Sequence, residues 1–324
     1  MVSFFNLLKF RSYRKLDIAV TNLCNSRCKT CLIWKIYKKN PAMLKKELKA
    51  DEYRLLFRRH PWISQITFSG GEPFMKKDFL EIVFAALDEI KNLFYINIIT
   101  NGINKEMIIK QVKKILGNPR LKRLHIAISL DGNQKTHDKI RGVQGNYKSA
   151  RETFFELKSL NQRKLLLHYS YTISPYNIGK MQAFLDKTNI DPNNIVVCFA
   201  QKSSRYNLKK GNNEFFLTKE EIKKEIKVFL KNYRIRRIED IVQLIFLKLF
   251  LKNKRIPCVA GSNTFHIDPY GNIYQCSLKN NIVGNIRDGI KFRTPPKNCS
   301  CFTPCESYFG ILKMNPLKLI RLII

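Results

Sequence analysis

Carboxylates are scarce in this chain: of 324 residues, 25 are acidic and 59 basic, a net charge of +34. So lopsided a field favours an anionic partner, whether a membrane surface, a nucleic acid or an acidic substrate. Long apolar runs are also missing. The longest, Ile241 to Leu251, is eleven residues and is broken by Lys248, against about 18–20 for a membrane-spanning helix. The opening MVSFFNLLKFRSYRK sets its apolar residues before its basic ones, the reverse of a secretory signal. There is no low-complexity tract. Nine cysteines in a chain this long do not make a disulfide-stapled mini-protein. A cytoplasmic location is therefore expected, with cysteines that are metal ligands or buried thiols. What is present is globular: 44 % apolar and 26 % charged residues exclude disorder, collagen and coiled coil. The length allows one large domain or two smaller ones.

Apolar β-type runs alternate with helical patterns. Residues 15–21, 65–70, 94–100, 123–129, 165–173 and 194–200 read as strands, and 48–59, 77–92, 105–116, 147–160 and 178–188 as helices. The near-continuous apolar strands suit a parallel sheet covered on both sides. Their alternation with helices predicts an α/β fold with a right-handed wind, either an open sheet or an incomplete barrel. A polar, turn-rich linker follows at 201–217, then a long helical stretch, then a Cys-rich segment punctuated by Gly and Pro.

Immediately after the first strand stands Cys24-x3-Cys28-x2-Cys31. Three thiolates within eight residues can hold three corners of a cubic iron–sulfur cluster, leaving the fourth iron open to a small ligand. A zinc site built on Cys28 and Cys31 is the alternative, and it needs partners from elsewhere. Ser69-Gly70-Gly71-Glu72-Pro73 follows the second strand, Thr100-Asn101-Gly102 the third, and Ser129-Leu130-Asp131-Gly132 the fourth. The paired glycines allow close backbone approach, beside a carboxylate suited to an ammonium group. Four such motifs after four successive parallel strands lie on one face of the sheet, where β/α folds place their chemistry.

These residues resemble the radical S-adenosylmethionine (radical SAM) superfamily, whose signature is the three-cysteine loop with the GGEP step. The string SLDGNQKTHDKIRGVQGNY (129–147) is similar to the branch carrying a C-terminal SPASM or twitch domain. The resemblance covers residues 15–310 and implies a partial (β/α)6 TIM-like barrel followed by a small Cys-rich twitch/SPASM-like domain. It implies that Cys24, Cys28 and Cys31 ligate a [4Fe–4S] cluster whose free iron chelates SAM. Gly70, Gly71, Glu72 and Pro73 are then expected at the methionine amino group. Asn101, Ser129, Asp131 and Arg141 are expected around the rest of the cofactor. One electron from the cluster breaks the sulfur–C5′ bond, and the 5′-deoxyadenosyl radical abstracts hydrogen from substrate. A reducing electron donor such as flavodoxin or ferredoxin is implied. The family often carries an aromatic residue after the third cysteine; here Leu32 stands there, with Trp34 two positions later.

The spacing Cys258-x12-Gly271-x4-Cys276 resembles the opening of a SPASM or twitch domain, and Cys299, Cys301 and Cys305 its closing half. Four thiolates complete an auxiliary [4Fe–4S] cluster, for which Cys258, Cys276, Cys301 and Cys305 are expected, with Cys299 as alternative ligand. Five cysteines cannot serve two cubanes, so one auxiliary cluster is expected. Its role would be to take an electron from the substrate radical in a net oxidation. A structural zinc ribbon is the competing reading, and epimerisation a competing outcome.

The expected organisation is a basic amphipathic segment at 1–14, the barrel with its linker at 15–217, a connecting helix at 218–255, the auxiliary unit at 256–310 and an apolar, basic tail at 311–324. His125, His168 and Cys198 sit in strands and read as core residues; His137 reads as structural and His60 as a helix cap. One of Tyr169 and Tyr171 is offered to the cavity. Segments 2–15, 244–255 and 308–324 pair apolar residues with cations. As helices they would suit a peripheral place on an anionic membrane, worth about 1 kcal/mol per basic residue; the alternative is docking on the core. A small-molecule, lipid-linked or glycan substrate is therefore one expectation. A ribosomally made peptide is another, lowered because only 23 residues precede Cys24, too few for a leader-binding domain. Nucleic acid is disfavoured, because the cations are dispersed. Outside enzymology, the competitor is a zinc-stabilised basic binding protein.

Overall fold

The computed structural model describes residues 14–201, 203, 217–295, 299, 301–315, 319 and 322, and only the backbone of Ile238, Pro304 and Cys305. Segment 2–13, most of the linker and half of the tail therefore lie outside the described residues.

Six parallel strands form the frame: β1 (Lys15–Thr21), β2 (Gln65–Gly70), β3 (Tyr95–Thr100), β4 (Leu124–Ser129), β5 (Leu165–Ile173) and β6 (Ile195–Phe199). The helices between them are α1 (Ala50–Arg59), α2 (Phe79–Glu89), α3 (Lys105–Leu116), α4 (Gln134–Arg141), α5 (Asn146–Ser159) and α6 (Met181–Thr188). This is the expected incomplete barrel: its strands run β6-β5-β4-β3-β2-β1 without closing.

The strands do not bury both faces alike. One face, with Leu16, Ile18, Ile66, Phe68, Ile96, Ile98, Ile126 and Ile128, is buried at no more than 1 % exposure, and Phe68 meets Phe79 of α2 edge-on. Registered across the opposite, inner face are Asp17, Thr67, Asn97 and His125. The long apolar side chains thus pack outward under the helices, and the polar ones turn inward. Tyr169 stacks on Phe154 of α5, and Tyr171 packs on Phe184 of α6. Both tyrosines therefore face the helices, not the cavity. Cys198 alternates with buried Val197 and Phe199 and lies 3.9 Å from Ser170 Oγ. It is an inward residue, and not part of the outer apolar layer.

The expected connecting helix is two helices, α7 (Lys219–Asn232) and α8 (Ile238–Leu251). Asp240 forces the break: its carboxylate accepts from the backbone N–H of Arg236 and Arg237, capping α8 afresh. Ile245, Phe246, Leu247, Leu249 and Phe250 of α8 are buried, with Phe246 and Phe250 against Phe199. Segment 244–255 thus spends its apolar face on the core and not on a bilayer. Leu322 of the tail is buried as well, and Leu319 packs on the same core. No helix among the described residues is long and apolar enough to cross a membrane.

Beyond α8 the chain returns to the sheet as β7 (Thr264–Ile267), β8 (Asn272–Tyr274) and β9 (Ile282–Asn285). β7 pairs parallel with β1, from Lys15 opposite Thr264 to Ile18 opposite Ile267, and β8 and β9 follow antiparallel. Within segment 256–310, β7 to β9 thus extend the sheet beyond β1. The segment ends in α9 (Pro304–Leu312). Gln201 Nε2 donates to the Phe302 carbonyl at 3.1 Å and Ser203 Oγ to that of Leu278 at 3.2 Å, bridging the barrel's open side.

Candidate functional site

The loop after β1 carries the first three cysteines, and its shape is imposed by neighbours. Arg27 N–H donates to the Arg141 carbonyl and Lys29 N–H to that of Ile140, at 2.8 and 2.9 Å. Gly142, at φ +65°, ends α4 so close beneath the loop that a Cβ there would lie 2.7 Å from the Arg27 carbonyl oxygen. The glycine step after β2 works in the same direction. A Cβ on Gly70 would sit 2.3 Å from the Thr21 oxygen, and one on Gly71 2.1 Å from that of Leu23. The close approach these glycines permit is to the cysteine loop itself.

Glu72 is 1 % exposed. Its carboxylate accepts from Thr100 Oγ1 at 2.8 Å, Asn101 N at 2.7 Å and Phe74 N at 3.4 Å. Burial pushes it up to about 7 against those hydrogen bonds. Pro73 opens the buried turn that follows. Asn101, so held, donates through Nδ2 to Asn25 Oδ1 at 2.7 Å and reaches Cys24 Sγ at 4.0 Å. Across the site, Arg141 pairs with Asp131 Oδ2 through two nitrogens at 2.8 and 2.7 Å and turns its third to Cys28 Sγ at 3.8 Å. Asp131 also accepts from Thr172 N at 3.0 Å. Ser129 is buried at the end of β4. Trp34 donates from its indole to the Cys28 carbonyl at 3.4 Å. The expected residues therefore converge on the C-terminal ends of β1 to β4.

The donor set suits an iron–sulfur cluster. Burial pushes the Cys24 and Cys31 thiols up to about 12, so they ionise only for a strongly cationic ligand. Ser26 N–H (3.4 Å from Cys24 Sγ), the Asn101 amide and the Arg141 guanidinium stand ready to stabilise the thiolates. Among the described residues, no three His, Cys, Asp or Glu side chains close on a single ion.

The second group is assembled from distant segments. Cys258, Cys299 and Cys301 line one cleft with Glu306. Cys299 and Cys301 lie 3.6 Å apart, and Cys276 Sγ accepts from Leu278 N at 3.4 Å. Cys299 thus belongs with the group, and the Cys305 side chain lies outside the described residues. Burial pushes Cys258 up to about 11 and Cys301 up to about 12. Sequence reasoning missed Glu306, which is 2 % exposed. It accepts from His266 Nε2 at 3.0 Å, from Ser277 and from Thr303. Burial opposes its ionisation, yet those contacts, His266 first, hold it down to about 2. Its place next to Cys305 was the signal available.

The other four histidines make different contacts. His137 accepts from Asp131 N at 3.0 Å and is fully buried. His60 caps α1 through its backbone, and its Nε2 accepts from Ile290 N at 3.3 Å. His125 and His168 lie at the opposite end of the barrel with Arg237.

A family model described as "Radical SAM superfamily" matches residues 18–187. Among curated proteins, the chain is 26 % identical over 172 residues to the sporulation killing factor maturation protein SkfB of Bacillus subtilis (strain 168), covering 52 % of this chain and 38 % of that protein. It is 27 % identical over 219 residues to a GTP 3′,8-cyclase of Alkaliphilus metalliredigens (strain QYMF), covering 67 % and 64 %. The chain thus spans from about a third to just under two-thirds of these relatives. Among solved structures, native anSMEcpe with bound AdoMet superposes with TM-score 0.59 at 16 % identity, covering 85 % of this chain and 79 % of that one. Streptococcus suis SuiB bound to S-adenosylmethionine does so with TM-score 0.59 at 15 %, covering 95 % and 70 %. At such identities the likeness is one of fold.

Proposed function

The chain belongs to the radical SAM superfamily, and from that premise we propose that it is a SAM-cleaving oxidase with two clusters, abstracting hydrogen from its substrate. The family's cofactors, a [4Fe–4S] cluster and SAM, together supply a hydrogen-abstracting radical at the cost of one electron. Cys24, Cys28 and Cys31 bind the cluster. Asn101 and the Ser26 N–H stabilise the Cys24 sulfur, and Arg141 that of Cys28. Gly70 and Gly71 hold the loop, and Glu72 fixes Asn101. The inner strand face, with Thr67, Asn97 and Ser170, offers a polar wall for substrate. The observation that carries this reading is the convergence of Asn101 and Arg141 on the sulfurs of a single loop.

Cys258, Cys276, Cys301 and Cys305, with Cys299 as substitute, form the second cluster site within a unit at 256–310. With four thiolates such a site would leave no iron free for substrate, and the group it held would supply an acceptor for one electron from the substrate radical, which on losing a proton as well would end as a two-electron oxidised product. Two substrate classes draw support from different observations. Similarity to SkfB, a maturation protein, and to SuiB, whose fold is also seen bound to precursor peptide SuiA, supports a peptide. The +34 charge supports an anionic, lipid-linked substrate at a membrane surface, although α8 offers no apolar face for it.

Anaerobic reconstitution tests the reading. About eight irons per chain are expected, four per cluster, with dithionite-dependent formation of 5′-deoxyadenosine. Cys258→Ala should lose about half the iron and keep 5′-deoxyadenosine formation. Zinc in place of iron, or no cleavage of SAM by the wild type, overturns it.

A further inference from the structure

The turn after β7 reaches the first cysteine loop. Because β7 runs parallel to β1, residues 268–271 emerge beside the end of β1, where the loop begins. Asp268 stiffens the turn, accepting from Tyr270 N, Asn272 N, Asn272 Nδ2 and Tyr274 OH, each at 2.9 Å. Gly271 takes φ +85° to complete it. Leu48 N–H donates to the Pro269 carbonyl at 2.8 Å, tying the turn to the segment that follows the cysteines.

Tyr270 points out of this turn into a half-buried polar cluster. Its hydroxyl accepts from Asn22 Nδ2 at 3.0 Å and donates to Tyr37 OH at 3.3 Å. Tyr37 in turn donates to Glu47. The Glu47 carboxylate accepts from Asn22 N at 3.1 Å and pairs with Lys76 at 3.3 Å, both side chains being nearly inaccessible. Asn22 opens the cysteine loop, Tyr37 follows it, and Lys76 closes the turn after Glu72. Asn22, Tyr37 and Lys76 thus meet on Glu47, and Tyr270 brings a hydroxyl of the C-terminal unit to them.

We propose that Tyr270 is a positioning residue for the first cysteine loop: through Asn22 and the Tyr37–Glu47 pair, the C-terminal unit sets the loop's geometry. Its effect on SAM rests on the reading that Cys24, Cys28 and Cys31 hold the cluster; its effect on the loop does not. With Tyr270 in place, Asn22 is gripped at its amide side chain and at its backbone N–H. Without the hydroxyl, only the backbone grip remains, and the loop gains freedom where it leaves β1.

Hydrogen exchange and electron paramagnetic resonance test this together. In the full chain without metal, Tyr270→Phe should speed amide exchange across residues 22–37 about fivefold, the ordinary net worth of one hydrogen bond. Exchange in β8 should be unchanged. In the reconstituted enzyme, the same variant should keep its iron content, while the SAM concentration that half-shifts the reduced cluster's signal rises about fivefold. Asn22→Ala should act in the same direction, and the double variant should fall well short of the sum of the two, because both single variants remove the Asn22–Tyr270 bond. Wild-type exchange across 22–37 in Tyr270→Phe, or additive effects in the double variant, overturns the proposal. Faster exchange in Tyr270→Phe, together with a wild-type protein that takes up no iron, overturns the cluster reading and leaves the positioning standing.

Discussion

The two ends of the barrel's interior use the same strands for opposite purposes. At its C-terminal end β4 leads to Asp131, which holds Arg141 toward Cys28. Near its start it carries His125, whose Nε2 lies 2.9 Å from His168 Nδ1. Arg237 donates to His168 Nε2 at 3.1 Å, so His168 donates from Nδ1 to His125 and both rings are neutral. Burial pushes His168 down to about 3 and His125 well below its ordinary value. The polar groups at the cysteine end leave sulfur atoms to be ligated, whereas His125, His168 and Arg237 at the other end satisfy one another. Chemistry-bearing side chains mark a site only where their donors and acceptors are left over.

Substitutions at the cysteine end should change chemistry, and those at the histidine end stability. The largest effect is expected from Cys31→Ala. 5′-Deoxyadenosine formation should fall to background, while the urea midpoint of the metal-free chain moves little; retained cleavage would dissolve the distinction. Arg141→Leu is the strongest attempt to break it, because this arginine serves both. Leaving buried Asp131 unpaired should cost about 3–5 kcal/mol in urea unfolding, with weaker iron uptake. At the histidine end the handle is pH. The folded state resists protonating His168 between its ordinary 6.5 and about 3, so stability from this residue is present above pH 6.5 and is lost as pH falls. The loss between pH 6.5 and 5 should be about 2 kcal/mol, and should shrink in His168→Gln with cluster uptake unchanged. An unaltered acid slope in that variant would remove His168 as the source of this pH dependence.

How much of this was legible follows from distance along the chain. The six strands were readable because each pairs a local apolar run with flanking turn residues, and β1, β2 and β5 match their expected bounds. The loop motifs were readable because their spacing is itself the chemistry. Helix α4 was not recognised inside the string 129–147, being eight residues long and mostly polar. Its cap, where Asn133 Oδ1 accepts from Thr136 N at 3.1 Å, and Gly142 after its end were the available signs. The split between α7 and α8 has no Gly or Pro to announce it, only Asp240 reaching back. That Tyr169 and Tyr171 face outward was legible in the period of two of β5, where His168, Ser170 and Thr172 alternate with them as the polar, inward side. The meeting of β7 with β1 joins residues some 250 positions apart, and nothing local encodes it.

That pairing has a consequence for how the protein is made. β1 is synthesised first and gains β2 early, but its other edge waits for β7. At about 5–20 residues per second, that edge stays unpaired for roughly 12 to 50 s. An apolar strand exposed along one side for so long is a template for pairing with another nascent chain. Expression yield should therefore depend on translation speed and on chaperones that shield edges, more than on the stability of the finished fold.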